Sequence, residues 1–242
     1  TKLYMVTWYQ QGITIVDLAN ANRVTEEDPF GADGQRSGGI VASSDEYLYI
    51  ARGGGDKPNR IMRVSTSDFS TATEMGSGVD ACYGAHCNIA INHDGSVLTI
   101  PQRLRGCIRS MNTRTKVVSD IAGVCGSPCS DPASCVDGPA EQATFDSPDA
   151  VTLDPNGPGV PIWVLQHNTM GGFRLIESTA TPSPTTSIAP ATPSSLMVST
   201  LPKPSECMQS NGCEFNYIKL NRAGTHIYAA GMDCALYLYE IS

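Results

Sequence analysis

The sequence predicts an all-β protein built as a β-propeller, and three observations lead to this fold class. Four segments repeat one unit, which is an apolar alternating strand, a tight polar turn and a second apolar strand. Gly and Pro number 23 and 16 among 242 residues, so turns recur along the chain. No window carries a convincing helical period. Because 40% of the residues are apolar, the chain can bury a sizeable core.

The repeated hairpins have turns rich in Asp, Asn and Gly, which tolerate positive φ and suit the twist of paired strands. The four hairpins are Gly39–Ala51, Asn88–Pro101, Ala150–Leu165 and Tyr217–Ala230. A third strand follows each of them, at Asn59–Val64, Cys107–Asn112, Gly172–Ile176 and Ala235–Ile241. The N-terminal segment fits the same frame without its first strand.

Three to four short antiparallel strands in each repeat are typical of propeller blades. We predict one domain over 1–242 with about five blades, near 1–30, 37–78, 86–122, 146–201 and 213–242. A β-sandwich shares the short alternating strands and is the alternative. The first blade lacks its innermost strand and the last its outermost. Either a neighbouring chain or further sequence supplies these strands by β-augmentation, or the register is displaced by one strand.

One stretch, Val136–Gly157, carries a denser pattern. It reads Asp-Gly, four residues, Ala-x-Phe, two residues, Pro, two residues and Val, and it continues Leu-Asp-x-x-Gly. The matching positions are Asp137, Gly138, Ala143, Phe145, Pro148, Val151, Asp154 and Gly157. This stretch closely resembles the NHL repeat, whose usual ending has approximate counterparts at Asn59–Arg63 and Gly106–Arg109. The resemblance implies a propeller, and NHL propellers usually have six blades.

Nine Cys in 242 residues indicate an oxidising, extracellular compartment. Seven lie in pairs or triplets within loops, where we expect disulfides: Cys82, Cys87, Cys125, Cys129, Cys135, Cys207 and Cys213. Cys107 and Cys234 lie in or beside strands as further partners or orphans, since an odd number leaves one thiol over. Zinc bound by Cys125, Cys129 and Cys135 with His86 is the alternative, although the chain contains no Cys-x-x-Cys.

The segment Ser178–Ser205 is a Pro/Ser/Thr-rich insert, with Ser and Thr at 13 of its 28 positions and Pro at six. Such a composition is typical of an O-glycosylated stalk or linker, and a bare flexible loop is the alternative. Its Ala-Pro, Ser-Pro and Thr-Pro pairs resemble plant and green-algal hydroxyproline-glycosylation modules. The predicted glycosylated positions are Thr179, Thr181, Pro182, Ser183, Pro184, Thr185, Thr186, Ser187, Pro190, Thr192, Pro193 and Ser194. The end of the insert, Leu196–Leu201, is apolar enough to return as a strand of blade four.

Residues just before the inner strands crowd the central channel of a propeller. Here they are His86, Asn88, Asp146, Asp149, Glu214 and Asn216. Hydrogen bonds between neighbouring blades are the simplest role for them. Alternatively, His86, Asp149 and Asn216 hold Ca²⁺ or Zn²⁺, and their oxygen ligands suit Ca²⁺ better. We expect no cofactor and no catalytic residue, because no nucleophile motif or phosphate-binding glycine loop is present.

Composition also limits the partners. A net charge of −8 with only 16 Lys and Arg offers no basic groove for nucleic acid. No stretch approaches the roughly 20 apolar residues of a membrane span. We expect a secreted chain whose signal peptide has been removed.

Two functions from different classes fit these observations. The first is a non-catalytic propeller that acts as a structural or interaction module, self-associating or binding another extracellular protein, and assembling into a fibre or matrix through its strand edges. The second is a propeller enzyme of the lyase or lactonase type with a metal at the channel. Sugar binding by Trp8, Tyr9 or Trp163 is a third hypothesis, and its alternative is that these rings pack in a core.

Overall fold

The computed structural model is all-β, with a short 3₁₀ turn at Arg103–Arg105 between two strands. No helix among the described residues is long and apolar enough to cross a membrane. The residues described are 2–6, 12–20, 23–30, 36–42, 47–53, 59–76, 87–130, 134–154, 161–166, 172–179, 195–201, 215–221, 223–231 and 236–240.

The strands form five small antiparallel sheets arranged as the blades of a propeller, which confirms the predicted fold class. Blade 1 consists of β1 (Lys2–Val6), β2 (Ile13–Asp17) and β3 (Arg23–Glu27). Blade 2 consists of β4 (Arg36–Ala42), β5 (Tyr47–Gly53), β6 (Arg60–Ser65) and β7 (Ala72–Gly76). Blade 3 consists of β8 (Ala90–Ile91), β9 (Val97–Gln102), β10 (Cys107–Asn112) and β11 (Val118–Ala122).

Blade 4 is the widest. In chain order it contains β12 (Gly138–Pro139), β13 (Pro148–Leu153), β14 (Ile162–Gln166), β15 (Phe173–Ser178) and β16 (Leu196–Thr200). Across the sheet the order is β12-β16-β15-β14-β13, so the segment predicted to return as a strand of blade four does so as β16, and β12 forms the edge beside it. Blade 5 consists of β17 (Phe215–Leu220), β18 (His226–Gly231) and β19 (Leu236–Glu240).

Side chains in the predicted turns fix the hairpins. In blade 3, Asp94 Oδ1 accepts a hydrogen bond of 2.9 Å from the Ser96 amide, and Gly95 has a φ of 74°. In blade 5, Asn221 Oδ1 accepts a hydrogen bond of 2.8 Å from the Thr225 amide. A side-chain oxygen that satisfies the turn amides stabilises a tight connection, which is why Asp and Asn recur there.

The core lies between blades, and period-2 alternation sends neighbouring residues to different interfaces. In β14, Ile162 and Val164 pack towards blade 3, whereas Trp163 and Leu165 pack towards blade 5. Four apolar clusters fill the spaces between blades 1 and 2, 2 and 3, 3 and 4, and 4 and 5. Among the described residues, no cluster joins blade 5 to blade 1.

Asn88 ties the inner segments of three blades together. Its backbone N–H donates to the Asp149 carbonyl, and its carbonyl accepts from the Val151 N–H, each at 3.0 Å. Its side-chain amide donates to the Ile218 carbonyl of blade 5 at 3.2 Å. Asn88 therefore acts as an interblade linker, the simpler of the two roles predicted for the channel residues.

Candidate functional site

A cavity of about 350 Å³ opens where the inner segments of blades 3 and 4 meet blade 5. Its walls are mostly aliphatic and aromatic, with one lysine and one asparagine amide. The lining residues are Asn88, Ile89, Val151, Tyr217, Ile218, Lys219, Tyr228, Ala230 and Leu236. The cavity is therefore suited to an apolar group with a polar or anionic neighbour.

One wall belongs to the outward side of blade 5, which we call the blade-5 face. It consists of Tyr217, Lys219, Tyr228, Ala230, Leu236 and Leu238, which alternate along the strands with the inward residues of the core. Strand register places Lys219, Tyr228 and Leu238 in one cross-strand row, and Tyr217, Ala230 and Leu236 in the next. Residues in such rows contact one another, so the face is a continuous surface.

The two ionisable groups of the blade-5 face have shifted pKa values. Desolvation by the surrounding chain lowers the pKa of the Lys219 ammonium, although the residue remains exposed. Partial burial raises the pKa of the Tyr217 hydroxyl, and the negative charge of Asp149 raises it further. Both shifts disfavour the charged form, as expected on an apolar surface.

Asp149, a candidate metal ligand, is completely buried beside the cavity. Arg103 of blade 3 forms an ion pair with it, with Nε 3.4 Å from Asp149 Oδ1. Asp146 lies close in sequence, and its amide donates a hydrogen bond of 2.9 Å to Gln166 Oε1. Asp149 thus contributes an ion pair that connects blades 3 and 4.

The other predicted metal ligands are not brought together with Asp149 by the described residues. His86 and Glu214 lie outside them, and of Asn216 only the backbone is described, within β17. The described part of the chain holds no cluster of three or more His, Cys, Asp or Glu side chains that could bind a metal ion. A metal at the channel therefore stays a prediction.

Disulfide bonds, predicted from the sequence, are present. Cys107 pairs with Cys125, and Cys129 pairs with Cys135. Cys87 is also disulfide-bonded. Because Cys125, Cys129 and Cys135 are in disulfides, they are not ligands of the alternative zinc site. Cys82, Cys207, Cys213 and Cys234 lie outside the described residues.

The stretch that resembles the NHL repeat holds blade 4 together. The carboxylate of Asp137 receives a hydrogen bond of 2.7 Å from Arg174 Nη2 in β15 and one of 2.9 Å from the Thr200 amide in β16. Ala143 and Phe145 are completely buried in the core between blades 3 and 4. These residues serve the fold and do not line the cavity.

Most of the predicted glycosylation sites lie outside the described residues. Thr179 is described and exposed, and its hydroxyl donates a hydrogen bond of 3.1 Å to the Ser195 carbonyl. The remaining sites, from Thr181 to Ser194, fall within 180–194. The described residues on either side of this segment belong to adjacent strands, because Ser178 in β15 pairs with Leu196 in β16.

Sequence reasoning missed the blade-5 face. The strand sequence Leu-Tyr-Leu-Tyr at 236–239 is apolar at odd and even positions alike. This pattern could have indicated a sheet with apolar side chains on both faces. Sugar binding by Trp163 is ruled out, because this ring is only 5% exposed and packs between blades 4 and 5. Trp8 and Tyr9 lie outside the described residues.

The chain is similar in fold to solved β-propeller structures. No protein-family model and no curated protein matches it, so Val136–Gly157 remains a resemblance to the NHL repeat. A protein of unknown function from Bacteroides thetaiotaomicron shares 12% identity at a TM-score of 0.70, covering 100% of this chain and 56% of that one.

Two further solved structures have TM-scores of 0.56 over 100% of this chain. A putative 6-phosphogluconolactonase from Bacteroides uniformis is 12% identical and covered over 64% of its length. The β-propeller domain of Cps50 (Swd1) from Myceliophteria thermophila is 11% identical and covered over 67%. The chain thus spans between about half and two thirds of the length of these neighbours, and the likeness establishes the fold alone.

Proposed function

We propose that the chain is a secreted, non-catalytic β-propeller that acts as a structural or interaction module. The observation that carries this proposal is the blade-5 face, whose Leu236 and Leu238 are 69% and 59% exposed beside an apolar cavity. Contiguous exposed apolar surface on a soluble domain is typical of a protein-binding surface. The disulfides Cys107–Cys125 and Cys129–Cys135 support an oxidising compartment, because disulfides form and persist there.

O-glycosylation of the Pro/Ser/Thr-rich insert is part of the same proposal. The β15–β16 hairpin supports it, because Thr179 and Ser195 close the base of the segment by a backbone hydrogen bond of 2.9 Å.

Assembly into an extracellular fibre or matrix completes the proposal. Among the described strands, β1 and β19 each pair with a single neighbour, β2 and β18 respectively. Unpaired strand edges favour association with further chains.

Intact mass of the native protein, before and after reduction and chemical removal of O-glycans, tests the compartment and the glycans. We expect a mass above the 25.7 kDa polypeptide, with the excess on 178–205 and mass changes on reduction that match disulfides. A variant with 181–194 replaced by a Gly/Ala linker should lose the excess on those positions, and the control Thr115→Ala should keep it. A bare-chain mass with all thiols free would overturn the proposal.

A propeller enzyme of the lyase or lactonase type is the second candidate. It is favoured by the completely buried Asp149 at the channel, with His86 and Asn216 as further ligands of Ca²⁺ or Zn²⁺, and by the neighbour described as a putative 6-phosphogluconolactonase. Elemental analysis tests it. Stoichiometric metal that is lost in Asp149→Asn would support the enzyme, whereas metal-free native protein would overturn it.

A further inference from the structure

Arg103 lies in the 3₁₀ turn after β9, where the end of blade 3 meets the start of β13 in blade 4. Its Nε lies 3.4 Å from Asp149 Oδ1, and its side chain is 16% exposed, whereas that of Asp149 is completely buried. Among the described residues, the Arg103 guanidinium makes this ion pair and no hydrogen bond. Its Nη1 and Nη2 amino groups are therefore available to a ligand that approaches from solvent.

The buried carboxylate distinguishes this ion pair from the other arginine–carboxylate pairs in the described part of the chain. The carboxylates that pair with Arg60, Arg109 and Arg174 are 41%, 54% and 48% exposed. An exposed carboxylate is solvated and can move, so such a pair restricts its arginine weakly. Breaking a pair with a buried carboxylate would leave an uncompensated charge in the interior, so Asp149 holds Arg103 in one position.

The backbone that leads to Asp149 is irregular. Ser147 has a φ of 46°, a left-handed conformation that is uncommon for residues other than Gly, and a β-bulge follows Pro148. A bulge changes the direction in which a side chain points, and backbone strain is concentrated at functional sites. The Asn88 amide holds the bulge by its hydrogen bond of 3.0 Å to the Asp149 carbonyl. We take this irregular backbone as support for a ligand site at the Arg103 guanidinium that Asp149 orients.

We propose that Arg103 binds the carboxylate of a small organic acid, and that Asp149 is the positioning residue that orients the guanidinium. The two amino groups of a guanidinium form a planar fork that matches a carboxylate in a bidentate arrangement. Asp149 already offsets the charge of Arg103, so a singly charged carboxylate suits the site better than a phosphate dianion. A metal ion on Asp149 would repel Arg103, so this site and a channel metal are alternatives. The proposal goes beyond the interaction module and does not depend on it.

NMR titration of the isotope-labelled whole chain with sodium gluconate tests the proposal through the Nε–H signals of the arginines. Sorbitol, in which a hydroxymethyl group replaces the carboxylate of gluconate, is the matched control ligand, and inorganic phosphate tests the preference for a carboxylate. Arg103→Lys keeps the positive charge but removes the fork. The matched control variant is Arg109→Lys in the same blade, because Arg109 Nε also lies beside a carboxylate, at 2.7 Å.

We expect gluconate to shift the Arg103 Nε–H signal in a saturable manner and sorbitol to leave it in place. Phosphate should bind more weakly than gluconate. Arg103→Lys should raise the dissociation constant for gluconate by roughly tenfold or more, because a point charge makes no bidentate contact, whereas Arg109→Lys should leave it unchanged. In Asp149→Asn the difference between gluconate and phosphate should narrow, because the charge that opposes the dianion is lost. Circular dichroism would check that each variant folds.

Other outcomes would overturn the proposal. Equal shifts with gluconate and sorbitol would show that the carboxylate is not recognised, and no shift with gluconate would show that Arg103 serves the ion pair alone. Equal weakening in Arg103→Lys and Arg109→Lys would indicate non-specific attraction to basic side chains. An unchanged preference in Asp149→Asn would remove the positioning role. If Arg103→Lys does not fold, gluconate against sorbitol in the wild type decides, with the Arg103 signal assigned through its backbone.

Discussion

Blades 4 and 5 are neighbours with the same antiparallel construction, yet their burial differs. Every residue of β13 and β14 is buried, because blades 3 and 5 cover both sides of this sheet. In β18, the buried residues Ile227 and Ala229 flank the exposed Tyr228, because the described core covers one side only. Blade 5 is nevertheless rich in apolar residues, and its strand β19 alternates Leu and Tyr. A strand with apolar residues at both odd and even positions places apolar side chains on both faces of its sheet. We therefore expect a second surface to pack against blade 5.

The largest expected effect is the loss of stability when a core side chain of blade 4 is truncated, compared with truncation of a side chain on the blade-5 face. Phe145→Ala removes a completely buried ring from the core between blades 3 and 4. We expect the free energy of unfolding to fall by about 3–5 kcal/mol in urea denaturation. Tyr228→Ala on the blade-5 face is the control and should cost less than about 1 kcal/mol in dilute protein. Equal losses would show that the blade-5 face is buried in the isolated chain.

A second comparison sets an ion pair of blade 4 whose arginine is buried against one of blade 3 whose arginine contacts solvent. Arg174 is 1% exposed and donates to Asp137, to the Val136 carbonyl and to the Thr144 carbonyl at 2.7–3.0 Å. Burial lowers the pKa of Arg174, and the charge of Asp137 partly offsets this. Arg174→Met removes three hydrogen bonds that a buried guanidinium donates, so we expect a loss of about 2–3 kcal/mol.

The control for Arg174→Met is Arg109→Met. Arg109 Nε also lies 2.7 Å from a carboxylate, that of Asp120, but both side chains contact solvent. An exposed pair contributes about 0–1 kcal/mol, so thermal or chemical unfolding should separate the two variants clearly. A similar loss in both would show that distance, and not burial, decides their contribution.

Local sequence pattern was sufficient to predict the blades. The hairpin turns at Asp94-Gly95 and Ala223-Gly224 are determined by residues within a few positions of each other, and both were predicted at the right place. The two-residue strand Gly138–Pro139 was missed, because such a short strand has no periodicity to detect. Its position depends on β16, which lies far along the chain.

The site was less predictable, since its contacts join distant segments. The role of Asn88 as an interblade linker depends on Ile218, which is 130 residues away. Likewise, the pairing of Cys107 with Cys125 follows from the position of β10 beside the loop after β11 and not from the spacing of the Cys. The blade-5 face can be recognised only after the structure shows which side of blade 5 packs in the core with blade 4.

The disulfides Cys107–Cys125 and Cys129–Cys135 give a smaller contrast. Replacing Cys107 and Cys125 with Ser opens a loop with a sequence separation of 18 and introduces polar groups at a buried position. Chain entropy predicts a loss of about 3 kcal/mol for this pair and about 2 kcal/mol for Cys129 and Cys135, whose separation is 6. Thermal unfolding of the two double variants would measure the difference. A larger loss for the short loop would mean that Cys129–Cys135 stabilises by another route.

The smallest effect lies on the blade-5 face and depends on pH. Because the folded pKa of Lys219 is lowered below its ordinary value of 10.5, the unfolded chain binds more protons, and stability rises as pH rises towards that value. Lys219→Met removes this penalty, so the variant should be more stable than wild type at neutral pH, by a margin that shrinks in alkali. Lys2→Met, at an exposed position, is the control for losing a positive charge.

The pKa shift of Tyr217, on the same face, makes stability fall as pH rises, which is opposite to the effect of Lys219. Its folded pKa is raised, so its contribution is fully present below the ordinary value of 10.0 and is lost as pH rises through the folded pKa. Tyr217→Phe should therefore leave neutral stability unchanged by this route and flatten the decline above pH 10, as urea denaturation across the pH range would measure. Unchanged pH dependence in both variants would show that Lys219 and Tyr217 titrate alike in the folded and the unfolded chain.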